Sequence, residues 1–151
     1  MEKSLEQQFQ ERLFWLECRR RELMKPKFLE LGLALGQGQP RILKHLYGKE
    51  PCSQRELADV CHLDVTTMSR TLDRMAQMGL IERRTNPDCR RASQIFLTPG
   101  GRETAAQVKE SFREIEEQLC RGFSREELEV LNAGLERALE NLEKSSADGR
   151  E

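Results

Sequence analysis

Short hydroxylic and cationic side chains cluster in the middle of the chain, where they could contact a polyanion. They are Thr66, Thr67, Ser69, Arg70 and Arg74. The two arginines are four residues apart and therefore share one face of a helix. Hydroxylic side chains let a backbone approach phosphates and base edges, and arginine reaches phosphate or guanine. The alternatives are solvated helix charges for the arginines and a local cap for Ser69; we assign all five residues to DNA contact.

A second basic cluster follows a turn sequence. Asn86-Pro87-Asp88 separates Leu80–Thr85 from Ala92–Leu97, and these two runs can pair as short strands. Arg90 and Arg91 would then lie near the tip of a hairpin, where the negative potential of a minor groove attracts arginine. Both arginines are assigned to DNA contact.

A pair of short helices is predicted to position these residues. Ser53 and Glu56 form a capping-box pattern at the start of the first helix. Asp64 is the N-cap candidate of the second helix, and Gly79 is placed to end it. The second helix carries an apolar stripe at spacings of three and four, formed by Val65, Met68, Leu72 and Met75. We expect this stripe to be buried and the opposite, polar face to be exposed.

Two residues outside these clusters are also assigned to the DNA-contact surface. Ser53 lies at the start of the first helix of the pair. Arg84 lies in the first strand of the hairpin, where Arg83 and Arg84 could equally brace the hairpin or contact phosphate.

Long helices are predicted at both ends of the chain. The first thirty residues carry an apolar stripe from Leu5 and Phe9 to Met24, and Pro26 should kink or restart the helix. Two more helices follow the hairpin, and the polar end from Ser145 should fray. These stripes could pack within one chain, but we favour a homodimer interface. Its predicted residues are Leu5, Phe9, Leu128, Leu131, Leu135, Leu139 and Leu142.

Composition restricts the classes of protein to which the chain can belong. No stretch approaches the roughly 20 apolar residues of a membrane span, and the first residues lack the apolar core of a secretion signal. We therefore expect a cytoplasmic protein without a membrane partner. The net charge is only −1, but residues 65–94 contain six arginines against three carboxylates. A basic face on a nearly neutral protein suits a polyanion.

Residues suited to catalysis or to a cofactor are not apparent. The chain has two histidines, and it shows no Ser-His-Asp set, glycine-rich phosphate loop or metal-ligand spacing. His62 beside Cys61 has no paired ligands at the spacing of a zinc site. The sequence therefore predicts no enzyme, no cofactor and no metal.

Five widely spaced cysteines suit reduced thiols better than a disulfide framework. Cys89, flanked by arginine, and Cys18, beside Arg19–Arg21, are the candidates for an oxidant sensor, although inert thiols are favoured. Phe14 and Trp15 could fill a core or an interface, or line a ligand cleft.

The order of these motifs resembles the MarR family of bacterial regulators. The segments that carry the resemblance are Leu35–Leu43, Gln54–Ala58, Val65–Met75, Gly79–Arg83, Pro87–Arg91 and Leu97–Gly101. The resemblance implies a mainly α fold with a small β-wing, a winged helix-turn-helix with long N- and C-terminal dimerisation helices. It also implies that Arg91 enters a minor groove. The chain departs from the family at Cys89, where an aspartate usually braces the wing arginines.

We expect four segments. They are an N-terminal dimerisation helix (1–35), a DNA-binding head (36–100), C-terminal dimerisation helices (101–145) and a disordered tail (146–151). We expect a homodimeric repressor that binds double-stranded DNA at a palindromic operator and is released by a small-molecule effector or an oxidant. The alternative function is a winged-helix protein-interaction module without sequence-specific DNA binding.

Overall fold

A computed structural model describes residues 2–34, 36, 38–86 and 88–148, except for the side chains of 86, 89–92, 147 and 148. Within these residues the chain forms six helices and a three-stranded sheet. In chain order the elements are α1 (Leu5–Glu30), α2 (Gln39–Gly48), β1 (Cys52–Ser53), α3 (Gln54–Cys61), α4 (Val65–Gln77), β2 (Ile81–Asn86), β3 (Cys89–Leu97), α5 (Pro99–Cys120) and α6 (Arg125–Asp148). The mainly α fold with a small β-wing is confirmed.

The chain divides into two compact units, Met1–Ile115 and Glu116–Glu151. The first unit contains the helix pair and the sheet, and the second contains α6 with the last residues of α5. Among the described residues, no helix combines the length and the apolar composition that crossing a membrane requires.

Helix α1 continues through Pro26, where the sequence had predicted a kink or restart. Ser4 caps its start, and the exchange of hydrogen bonds with Gln7 forms a complete capping box. Met24 and Phe28 are buried in the hydrophobic core. Burial of these side chains on either side of Pro26 helps to offset the one backbone hydrogen bond that proline cannot donate, so the helix ends only at Glu30.

The core of the first unit lies between the helix pair and the sheet. Helix α4 buries Met68, Leu72 and Met75, as predicted, together with Thr71. Val65 was wrongly assigned to the buried stripe, because its side chain is 58% exposed. It is the first residue of α4, and the buried face begins one turn later.

The sheet has the order β1-β3-β2, with antiparallel pairing throughout. The predicted hairpin is present, with Ile81 opposite Leu97, and its strands extend further toward the turn than the apolar pattern suggested. Strand β1 was not predicted. It is only two residues long and is formed by pairing of Cys52 with Ile95 and Ser53 with Gln94.

Helix α5 begins against the turn that follows α4. A Cβ atom added to Gly101 would lie 1.8 Å from the carbonyl oxygen of Leu80, so the two backbones are in direct contact there. Thr98 reinforces the junction by donating its hydroxyl hydrogen to Gly79 O (2.5 Å) and accepting from Gly101 N–H (2.9 Å).

Helix α6 has the predicted start but a later end. Ser124 Oγ accepts from Glu127 N–H, and Glu127 Oε2 accepts from Ser124 N–H, which is a reciprocal capping box. The polar end predicted to fray from Ser145 is helical as far as Asp148. The serine hydroxyls do not interrupt the helix because Ser145 and Ser146 donate to carbonyls one turn earlier. The predicted tail residues 149–151 lie outside the described residues.

Candidate nucleic-acid interface

Helix α4 is held at both ends, so that its polar face has a defined orientation. Asp64 Oδ1 accepts from Thr67 N–H at 2.8 Å and caps the first turn. At the other end Gly79 adopts a left-handed backbone with φ 75°, which costs glycine little. The intervening helix exposes Thr66, Arg70 and Arg74 while its opposite face is buried.

Three of the four hydroxylic residues assigned to DNA contact are half-buried. Thr67 is half-buried, and its Oγ1 donates to Asp64 Oδ2 at 2.6 Å. Ser69 is also half-buried, and its backbone carbonyl accepts from Arg83. Ser53 caps α3, where its Oγ accepts from Glu56 N–H at 3.1 Å. Of the assigned hydroxylic residues, only Thr66 is exposed.

The cap of α4 also carries a fixed negative charge. Hydrogen bonds from the Thr67 side chain and backbone hold the pKa of Asp64 below its ordinary value. Asp64 is therefore ionised at neutral pH and stabilises the positive end of the helix dipole. This negative charge lies at the end of α4, at the edge of a surface on which Arg70 and Arg74 are exposed.

Arg83 joins the wing, formed by β2 and β3, to α4, the predicted recognition helix. Its Nη1 pairs with Asp73 Oδ1 at 2.8 Å, and its Nη2 donates to Ser69 O at 3.2 Å. These contacts link β2 to two positions of α4. The geometry therefore favours a role for Arg83 in bracing the hairpin over a role in phosphate contact. Sequence reasoning did not identify Asp73 as its partner, although both charges were visible near the helix and the hairpin.

Arg84, the next residue, lies on the opposite face of the strand. Its guanidinium stacks over the Phe96 ring, 4.2 Å from the centroid, and Nη2 pairs with Glu82 at 3.1 Å. The side chain remains 59% exposed. Stacking of this kind leaves part of the planar guanidinium available to a phosphate.

The assigned tip arginines, Arg90 and Arg91, have side chains outside the described residues, as does Cys89. Their backbone belongs to β3, and Cys89 pairs with Asn86 after an irregularity in the register. The assignment of Arg90 and Arg91 to DNA contact remains a prediction.

The predicted dimerisation residues form two apolar surfaces, one in each unit. On α1, Leu5 and Phe9 are exposed. On α6, Leu128 is half-buried, and the other members of the predicted stripe are exposed. These are Leu131, Leu135, Leu139 and Leu142.

Phe14 and Trp15 do not fill the core of the chain. Both are more than half exposed, and their rings meet edge to face with 5.4 Å between centroids. An interface or a ligand cleft is the remaining role for this aromatic pair. Cys18, on the same helix, is part-buried.

Comparisons with known proteins agree with the arrangement of helix pair and wing. Residues 35–93 match the model of the MarR family. An HTH-type transcriptional regulator of Bacillus subtilis, YybA, is 26% identical over 112 residues, which cover 74% of this chain and 75% of that protein. A crystal structure of a probable transcriptional regulator from Pseudomonas aeruginosa is 28% identical with a TM-score of 0.73, covering 89% of this chain and 99% of that one.

A third comparison shows the fold in a DNA-bound protein. The crystal structure of a complex between DNA and MepR of S. aureus has a TM-score of 0.78 at 22% identity and covers 93% of this chain and 99% of that one. The family-model match and these relatives favour the prediction of a regulator rather than an enzyme. The ordered helix pair, the braced wing and the match over residues 35–93 make the chain similar to the MarR family of winged helix-turn-helix transcriptional regulators.

Proposed function

We propose that the chain acts as a homodimeric repressor that binds a palindromic operator in double-stranded DNA. The observation that carries this proposal is the asymmetry of α4. Its apolar side chains are buried, while Arg70 and Arg74 are exposed on a helix held at both ends. A helix of 13 residues with this division can enter a major groove without loss of its packing.

The wing supplies the second part of the contact surface. Because Arg83 ties β2 to α4, the hairpin and the recognition helix would meet DNA in a fixed relation. Arg84 and Arg91 are proposed to contact backbone or minor groove beside the helix, with Arg90 as a further cation. The related fold of MepR, solved with DNA, supports this use of the head.

Two heads are needed to read a palindrome. Exposed leucines on α6, and Leu5 and Phe9 on α1, support a two-fold interface that buries them. A dimer would place its recognition helices about 34–36 Å apart, in successive major grooves. A dimer on its operator would exclude other proteins from that DNA, which is the reason for proposing repression. Action on DNA also supports a cytoplasmic location.

Release of DNA is proposed to follow binding of a small-molecule effector or oxidation of a thiol. The exposed Phe14–Trp15 pair and part-buried Cys18 on α1 support a signal acting near the proposed dimer interface. A reporter gene controlled by the selected operator distinguishes repression from activation. Deletion of the gene for the regulator should raise expression of the reporter.

The deciding experiment is selection of genomic DNA fragments by the purified protein at moderate salt, followed by sequencing. Wild-type protein should recover one palindromic motif, and Arg70→Ala should recover a degenerate one. Arg125→Ala is the matched control, since Arg125 is an exposed arginine of α6 outside the head. Sequence-independent recovery, or none, would contradict the proposal and favour the protein-interaction module.

A further inference from the structure

Three side chains with metal-binding atoms converge inside the head, where β1 leads into the start of α3. His45, Cys52 and Glu56 each offer one ligand atom, and these atoms all lie within 4.8 Å of one another. Cys52 is buried, and the other two residues are half-buried. The proposed DNA surface uses none of them.

The fold brings these residues together from three elements. His45 lies in the last turn of α2, Cys52 is in β1 and Glu56 is in the first turn of α3. Because β1 pairs with β3, Cys52 is held opposite Ile95 of the wing. A set of ligands fixed on rigid elements needs little rearrangement to bind an ion.

The histidine nitrogen that faces the cluster has no hydrogen-bond partner among the described residues. His45 Nε2 is fully shielded from solvent and lies 3.5 Å from Glu56 Oε1. Buried polar atoms are normally hydrogen-bonded. Tetrahedral zinc with its usual bond lengths places adjacent nitrogen and oxygen ligands about 3.4 Å apart. The observed separation therefore fits two ligands of one ion.

We propose that His45, Cys52 and Glu56 bind one Zn²⁺ ion per chain, with a water molecule as the fourth ligand. Thiolate, imidazole and carboxylate together suit zinc, whereas magnesium and calcium prefer oxygen ligands alone. Spacing along the sequence does not indicate this site, because neither histidine has a second histidine or a cysteine at the spacing usual for zinc ligands.

Binding requires two local changes. The Cys52 thiol, which donates to Lys49 O at 2.7 Å, must exchange its proton for the metal. Burial raises the pKa of Cys52 to about 11, with the Glu56 charge contributing, so the free thiol is protonated and zinc binding releases a proton at neutral pH. Lys49 Nζ, paired with Glu56 Oε1 at 2.7 Å and 69% exposed, moves into solvent at little cost.

The ion would connect α2, β1 and α3 around the start of the helix pair. Zinc that binds only the folded head stabilises it by mass action. The site thus couples zinc availability to the stability of the head, independently of DNA.

The test is zinc and cobalt titration of the metal-free, full-length protein. Competition with a chromophoric chelator should give one Zn²⁺ per chain, and Co²⁺ should show a sulfur-to-cobalt charge-transfer band. Cys52→Ser should abolish that band and weaken zinc binding by roughly tenfold or more. Zinc should raise the melting temperature of the wild type and not of Cys52→Ser.

Matched controls use the other histidine and a second cysteine of the head. His62→Gln and Cys61→Ser should leave zinc binding and the cobalt spectrum unchanged. His45→Gln and Glu56→Gln provide second and third variants if Cys52→Ser is unstable without metal. Failure of the wild type to bind zinc, or equal binding by the ligand variants and wild type, would overturn the proposal without affecting the proposed function in DNA binding.

Discussion

At the scale of single residues, Arg83 and Arg84 show how the fold separates neighbours of the same type. Strand alternation points them to opposite faces, so that one reaches Asp73 and Ser69 on α4 while the other stacks on Phe96. The sequence could not separate these roles, because the partners lie on other elements. Arg83 therefore links the wing to α4, whereas the Arg84 side chain stays 59% exposed.

Replacement of Arg70 by alanine should change which sequences the protein prefers. Its side chain is exposed in the middle of the α4 polar face, so a contact with a base edge would be lost at about 1–3 kcal/mol at one operator position. Arg91→Ala should instead weaken binding to many sequences alike. Binding of each variant to a library of single-base operator changes would measure this. Unchanged affinity and preference in both variants would contradict the assigned interface.

Substitution of Gly101 by alanine should destabilise the head, although alanine usually favours a helix over glycine. The new Cβ would meet the Leu80 carbonyl at 1.8 Å, and overpacking of this kind costs about 1–3 kcal/mol or more. Denaturant unfolding measures the change. Gly100→Ala is the matched control, since its Cβ would have only Thr98 Oγ1 nearby, at 4.0 Å, and it should be neutral or stabilising. Equal stability of the two variants would refute the close contact.

At the scale of elements, the capping and apolar signals in the sequence agree best with the observed structure along α4. The Asp64 cap, the glycine at position 79 and the buried Met68, Leu72 and Met75 were all visible in the sequence, and all are present. Helix α1 is the contrasting case. Its proline was expected to kink or restart it, and the helix continues through that position while Met24 and Phe28 pack into the core on either side.

The Asp64 cap should make a small acid-sensitive contribution to stability. Its pKa is lowered in the folded state, chiefly by hydrogen bonds from Thr67. The contribution is therefore present above the unfolded pKa of about 3.9 and is lost as the pH falls through the lower folded value. Asp64→Asn keeps a capping side chain without this titration.

The measurement is the difference in unfolding free energy between wild type and Asp64→Asn as a function of pH. The difference should be constant near neutral pH. In acid the wild type should lose stability relative to Asp64→Asn. Because the other carboxylates titrate equally in both proteins, they cancel. A difference independent of pH would show that the Thr67 hydrogen bonds do not favour the ionised carboxylate.

At the scale of the whole molecule, the two units leave large apolar side chains exposed. On α6 the exposed leucines recur at the spacing of one helical face, and a monomer with such a stripe would tend to associate. We expect the stripe to lie in the dimer interface, with a contribution from α1.

Leu135→Glu should shift the protein from dimer to monomer. Placing a charge among apolar side chains at a two-fold interface introduces it twice and leaves it unpaired. Sedimentation equilibrium measures the shift in mass, and operator affinity should fall with it. Val130→Glu is the matched control, because Val130 is exposed and points away from the leucine face. A dimer that survives Leu135→Glu unchanged would place the interface elsewhere.

The local sequence contained enough information for the order of the helices and the hairpin, the caps of α3, α4 and α6, and the polar face of α4. Hydrophobic period, capping residues and turn residues act over a few positions, so their effects can be read without knowledge of distant contacts. The family resemblance of residues 35–105 rested on the same local signals in a fixed order.

Contacts between distant residues were decided by tertiary structure. Strand β1 exists because Cys52 and Ser53 pair with β3, and two residues carry no pattern of their own. The brace from Arg83 to Asp73 and the convergence of His45 with Cys52 and Glu56 likewise depend on how elements pack. Sequence spacing measures distance along the chain, whereas hydrogen bonds, ion pairs and metal ligation depend on distance in space, and only the folded head sets that distance.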